Sequence, residues 1–93
     1  MQNNIDWSKL VTKAMKVETE AARALAAVVT ETDKRRAIAD KAIAPLQDAI
    51  EIGDASTEEK ASLLLWRKYR VALNRINLQN GFPGAVEWPV APE

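Results

Sequence analysis

The chain has 93 residues, enough for one small domain that buries about 60–65% of its unfolded surface. Thirteen Lys and Arg balance thirteen Asp and Glu, so no net charge draws it toward nucleic acid or an acidic membrane. The absence of Cys and His excludes disulfide scaffolds, thiol chemistry, thiolate metal sites and the usual general base.

The longest apolar run, Ala24–Val29, is six residues and too short to span a bilayer. The N-terminus shows no basic-then-apolar design of a secretory signal, which makes a cytosolic, non-membrane setting the expectation. Before Gly53 there is no Gly and one Pro, Pro45, a helical composition. The spacing predicts a first helix capped by Asp6, with Ile5 and Leu10 placed as a hydrophobic staple. A heptad stripe follows: Trp7, Leu10, Ala14, Val17, Ala21, Ala24 and Val28, widened by Leu25 and Val29. This stripe is the candidate self-association seam.

The seam lapses at Glu31 and Arg35 and resumes at Ile38 and Ala42. A turn near Thr30–Asp33 would give a three-helix bundle. Continuity is the favoured reading, because the patch lacks Gly and Pro. Glu31 with Arg35, and Asp33 with Arg36, also form favourable intrahelical pairs. Pro45 should kink the helix or begin a new one. Ile43, Leu46, Ala49 and Ile50 continue an apolar face, and Gly53 ends it.

Ser56 with Glu59 reads as the capping box of a second helix, from about Thr57 to Ile76. The short connection makes the two helices antiparallel neighbours. Leu65, Tyr69, Ala72 and Ile76 form the expected inner face, with Ala61, Leu64, Trp66 and Leu73 beside it. After Asn77, Asn80-Gly81, Pro83-Gly84, Pro89 and Pro92 forbid helix. A tail carrying Phe82, Val86 and Trp88 is apolar enough to pack back along the hairpin.

No catalytic constellation stands out. The Ser and Thr residues lack a His base or a Gly-rich elbow, and Glu58-Glu59 reads as a first-turn dipole partner. No metal or cofactor motif is visible. Trp66-Arg67-Lys68-Tyr69-Arg70 with Arg75 interleaves basic and aromatic residues, as a nucleic-acid surface does. The favoured reading is a core stripe beside an ion-pair network, with no nucleic-acid role. Residues 31–60 carry eight acidic and five basic groups, whereas residues 61–93 carry two and four. Trp88-Pro89 reads first as a clamp onto the core, second as a partner anchor.

One order of residues is more specific. Pro45-Leu-Gln-Asp-Ala-Ile-Glu-Ile52 precedes Gly53. Then come Trp66-Arg-Lys-Tyr-Arg-Val-Ala-Leu-Asn-Arg-Ile76, Gly81-Phe82-Pro83 and Glu87-Trp88-Pro89. This order, over about residues 38–92, resembles the C-terminal region of phage tail fibre assembly proteins. The resemblance implies a non-enzymatic chaperone that helps a tail fibre fold and trimerise through its distal C-terminal region. Its setting would be the bacterial host cytoplasm, or the virion for a member that stays on the fibre. The matching positions are Trp66, Tyr69, Arg70, Leu73, Arg75, Trp88 and Pro89, candidates for partner binding or for a family folding signature. Many members carry a β-rich region ahead of this part, whereas this chain has an alanine-rich helix from Asp6 to about Val29. The alternative is a helical structural or adaptor protein retained in a phage particle.

The expected architecture is all-α and single-domain over residues 1–93. A long kinked helix pairs through its second half with an antiparallel helix, forming a hairpin over 31–76. A Pro-rich extended arm occupies 77–93. The first helix would span about 70 Å and the second about 30 Å. Residues 7–30 therefore lack an intramolecular partner, which makes a homo-oligomer, a dimer first, the expectation.

Overall fold

The computed structural model describes the backbone of residues 7–93 and side chains from residue 19 onward. Two helices and no strand make up the regular structure among the described residues. Helix α1 spans Trp7–Glu51, helix α2 spans Thr57–Asn74, and a 3₁₀ turn spans Ile76–Leu78. The Asp6 cap and the Ile5–Leu10 staple lie outside the described residues.

Helix α1 runs through residues 30–34 without interruption. The polar patch that weakens the apolar stripe is held by local bonds. Arg35 pairs with Glu31 at 2.7 Å and Arg36 with Asp33 at 3.9 Å. Thr32 is buried, and its hydroxyl donates to the Val28 carbonyl at 2.6 Å, so burial leaves no unpaired polar group. The helix also passes through Pro45 rather than restarting there. Pro45 and Lys41, whose carbonyl loses its amide partner, are both exposed, so water can satisfy that carbonyl.

The turn between the helices is written in its capping residues. Gly53 adopts φ +75, where a Cβ would be strained. Its N–H donates to Ile50 and that of Asp54 to Ala49, the paired bonds of a Schellman end. Ser56 then opens α2: its hydroxyl accepts from the Glu59 N–H at 3.1 Å, and Glu59 accepts from the Ser56 N–H at 2.9 Å.

The two helices meet where α1 is thinnest. Ala39 is 0% exposed, and its lack of bulk lets Tyr69 and Leu73 approach. Val28, Thr32, Arg35, Ala39 and Ile43 line the covered side of α1; Leu63, Trp66, Tyr69, Leu73 and Ile76 line that of α2. This departs from the expected faces on both helices, and Ile50 and Ala61, expected on them, are exposed. Of the three consecutive leucines, Leu63 is the buried one (3% exposed), while Leu64 and Leu65 are 55% and 52% exposed. On α1, Ile38 is exposed and Arg35 lies on the covered side instead. The contact at Ala39 fixes the rotation of both helices, and the positions around it follow.

Past Leu78 the backbone turns through 79–85, with Phe82 donating to Gln79 and Ala85 to Gly81. The Phe82-Pro83 peptide is cis. A Cβ on Gly81 would collide with the Ala85 carbonyl, which explains a glycine there. Pro83, Val86 and Trp88 border one hollow together with Ala24, Val28 and Glu31 of α1. Residues 86–93 then run back, without helix or strand, so that Trp88 and Ala91 rest on the Ala39–Tyr69–Leu73 cluster.

Val28 was expected in the self-association seam. It is instead 8% exposed within one chain, beneath the tail and the end of α2. The tail reaches farther back along α1 than α2 alone does. Ala24 is half-buried by the same loop, whereas Ala21 is exposed. Trp7, Leu10, Ala14 and Val17 lie outside the residues whose side chains are described.

Candidate partner-binding site

The signature residues divide by what they touch. Trp66 and Tyr69 meet edge to face, with centroids 5.8 Å apart and planes at 85°. Both belong to the core around Leu73. Arg70 reaches across the hairpin to Asp40 at 3.0 Å. Two further cross-hairpin bonds use amide oxygens: Arg36 donates to Asn74 at 2.6 Å and Arg67 to Gln47 at 2.8 Å. The expected ion-pair network between helices is thus one ion pair and two amide contacts among the described residues. Exposed links of this kind contribute about 0–1 kcal/mol each and serve register more than stability.

Trp88 and Pro89 sit in a latch built around Arg35. The Arg35 guanidinium lies 4.7 Å from the Trp88 ring centroid, and its Nη1 donates to the Pro89 carbonyl at 3.3 Å. Its Nε is held by Glu31. Burial works against the Arg35 charge, but the neighbouring Tyr69 hydroxyl and Glu31 carboxylate outweigh it and raise its pKa above the ordinary guanidinium value. A raised pKa on a cation stabilises the fold below that range, so what Arg35 contributes is lost only in strong alkali. A second tie closes the loop: Gln79 donates to the Glu87 carbonyl and accepts from the Glu87 N–H, both at 2.8 Å. Trp88 thus packs on its own chain, the clamp arrangement.

Six of the seven signature positions therefore hold the hairpin and tail together, and Arg75 alone is exposed. The sequence reading missed Arg35, Gln79 and Leu63. Only Arg35 carried a signal, as the i+4 partner of Glu31 in a chain whose Trp88 was expected to clamp onto the core.

The side of α2 facing away from α1 has a different character. Leu64, Arg67, Lys68, Val71, Arg75 and Gln79 line a shallow groove there. Leu64 lies nine residues from Leu73, about two and a half turns, and so on the opposite side of the helix. Arg67 is tied to Gln47 at the groove's edge. No group of carboxylates among the described residues could hold a metal ion, and no helix among them is long and apolar enough to cross a membrane.

What the fold displays is a helical hairpin strapped by its own C-terminal tail. The chain belongs to the Caudovirales tail fibre assembly protein family (lambda gpK), whose model matches residues 2–93. It is 42% identical over 69 residues to a probable tail fiber assembly protein of Shigella phage SfV, covering 72% of this chain and 38% of that one. It is 44% identical over 55 residues to the tail fiber assembly protein of Escherichia phage lambda, covering 59% of this chain and 27% of that one. Tail fiber assembly protein U of Escherichia phage Mu is 36% identical over 55 residues, covering 59% and 29%. The chain thus spans well under half the length of these curated relatives. No solved structure matches it.

Proposed function

We propose that the chain serves phage tail fibre assembly as a non-enzymatic chaperone. It would act on the distal C-terminal region of a fibre, covering apolar or edge-strand surface until three fibre chains are in register. The family match over residues 2–93 carries this reading. The latched hairpin supports it, because a rigid helical frame can present a fixed surface to a folding partner. The work would take place in the host cytoplasm.

The seam at the front of α1 would join two copies. Leu25 and Val29 are exposed there, and Ala21 allows close helix approach. Val28 no longer belongs to that surface.

Co-expression with the fibre chain of the same phage tests the role. The expected result is a higher yield of soluble fibre trimer with this chain than without it. Equal yields would refute the reading.

A further inference from the structure

We propose that the outer face of α2 docks an acidic amphipathic helix of the assembly partner. The inference rests on the proposed assembly role for which protein supplies the helix, and on the surface itself for the chemistry.

Leu64 and Val71 are exposed and one heptad apart, and Leu78, one heptad farther on, is exposed as well. Between them on the same side lie Lys68 and Arg75. Leu64, Lys68 and Val71 thus stand four and three residues apart on α2, the spacing of a helix-packing seam, and Arg75 at the helix's C-cap lines the same groove. This seam is opposite the one that packs on α1, and no described residue covers it.

Charge selects the occupant. Residues 61–86 contain Arg67, Lys68, Arg70 and Arg75 and no Asp or Glu. Arg70 is neutralised by Asp40, and Arg67 is bonded to Gln47. Neither Lys68 nor Arg75 has a carboxylate within ion-pair distance among the described residues. Two cations set between apolar side chains complement carboxylates set between apolar side chains. The spacing selects the conformation. Leu64 and Val71 are about 10 Å apart along the axis, which a partner helix matches with residues seven apart. An extended strand puts residues three apart at about that distance, but on opposite faces.

The test uses the full chain and two synthetic helical peptides. Both carry Leu at heptad core positions; one is flanked by Glu and the other by Lys. Backbone amide shifts are followed by NMR. The acidic peptide should shift amides of residues 64–79 saturably, and the basic peptide should not. K68E/R75E should weaken the acidic peptide at least about tenfold and admit the basic one, because both changes reverse a charge at the contact. Circular dichroism of the variant should be unchanged, since both side chains are exposed. No saturable shift, a shift elsewhere, or indifference to K68E/R75E would overturn the proposal. So would concentration-dependent shifts of the same amides without peptide, abolished by K68E/R75E, which would make a second copy the occupant. The two readings fail separately. If omitting the chain lowers fibre yield but K68E/R75E does not, the docking face falls and the assembly role stands. If peptide binding holds but omission changes nothing, the role falls and the face stands.

Discussion

The two halves of α1 are similar in composition and opposite in circumstance. Residues 19–27 present Ala21, Ala22, Ala26 and Ala27 to solvent, whereas Ala39 in the second half is sealed beneath Tyr69 and Leu73. The difference comes from reach. Helix α2 has 18 residues, about 27 Å, and it stops opposite the middle of α1. The tail extends the cover as far as Ala24 and Val28, then turns back. An alanine on this helix is thus an open position or a tight contact according to whether the rest of the chain reaches it.

That contrast can be broken most severely at Leu73, the largest fully buried side chain among the described residues. Leu73→Ala should cost about 2–5 kcal/mol, read by chemical denaturation. A loss below about 1 kcal/mol would mean that the hairpin core lies elsewhere.

Enlarging one alanine in each half sharpens the comparison. Ala39→Leu should destabilise by about 1–3 kcal/mol through overpacking. Ala26→Leu, exposed on the open half and outside the self-association stripe, should stay within about 0.5 kcal/mol of the parent. Equal effects at the two positions would remove the distinction.

Arg35→Ala should cost about 1–2 kcal/mol, since it removes a charged hydrogen bond and the contact with the Trp88 ring at a partly exposed site. Its signature is local. Amide exchange of residues 86–91 should quicken while α2 keeps its protection. Uniform loss across the chain would make Arg35 a general core residue rather than the centre of a tail latch.

Ser56→Ala should cost about 1 kcal/mol through the lost cap. It should leave the Ala39 contact intact, so the exchange rates of Tyr69 and Leu73 should fall and rise only with global stability.

Much of the fold was legible because it is local. Glu31 with Arg35 carried α1 across the weak stretch, Gly53 ended it, and Ser56 with Glu59 started α2 where expected. Each of these signals involves residues within one turn of each other. The rotation of α2 about its axis is not local. Leu63, Leu64 and Leu65 offer the same side chain in three directions, and only the fit of Tyr69 and Leu73 against Ala39 selects Leu63. Arg35 was hidden for a related reason. A cation on an apolar stripe looks like an interruption until a Trp 53 positions later arrives to cover it. The candidate site follows the same division. Trp66, Tyr69, Leu73 and Trp88 were found from their pattern, but their work of holding the hairpin and tail together emerged only from their contacts.

The claim beneath all of this is that α1 is one uninterrupted helix from its exposed half into its covered half. The chain has no cysteine, so nitroxide labels can be placed singly and cleanly. With labels on Glu20→Cys and Asp48→Cys, both at exposed positions, pulsed electron–electron resonance should give a narrow distribution centred near 42 Å, the axial rise over the intervening residues. A distribution centred below about 25 Å would show the chain folding back between the two sites and would contradict the account.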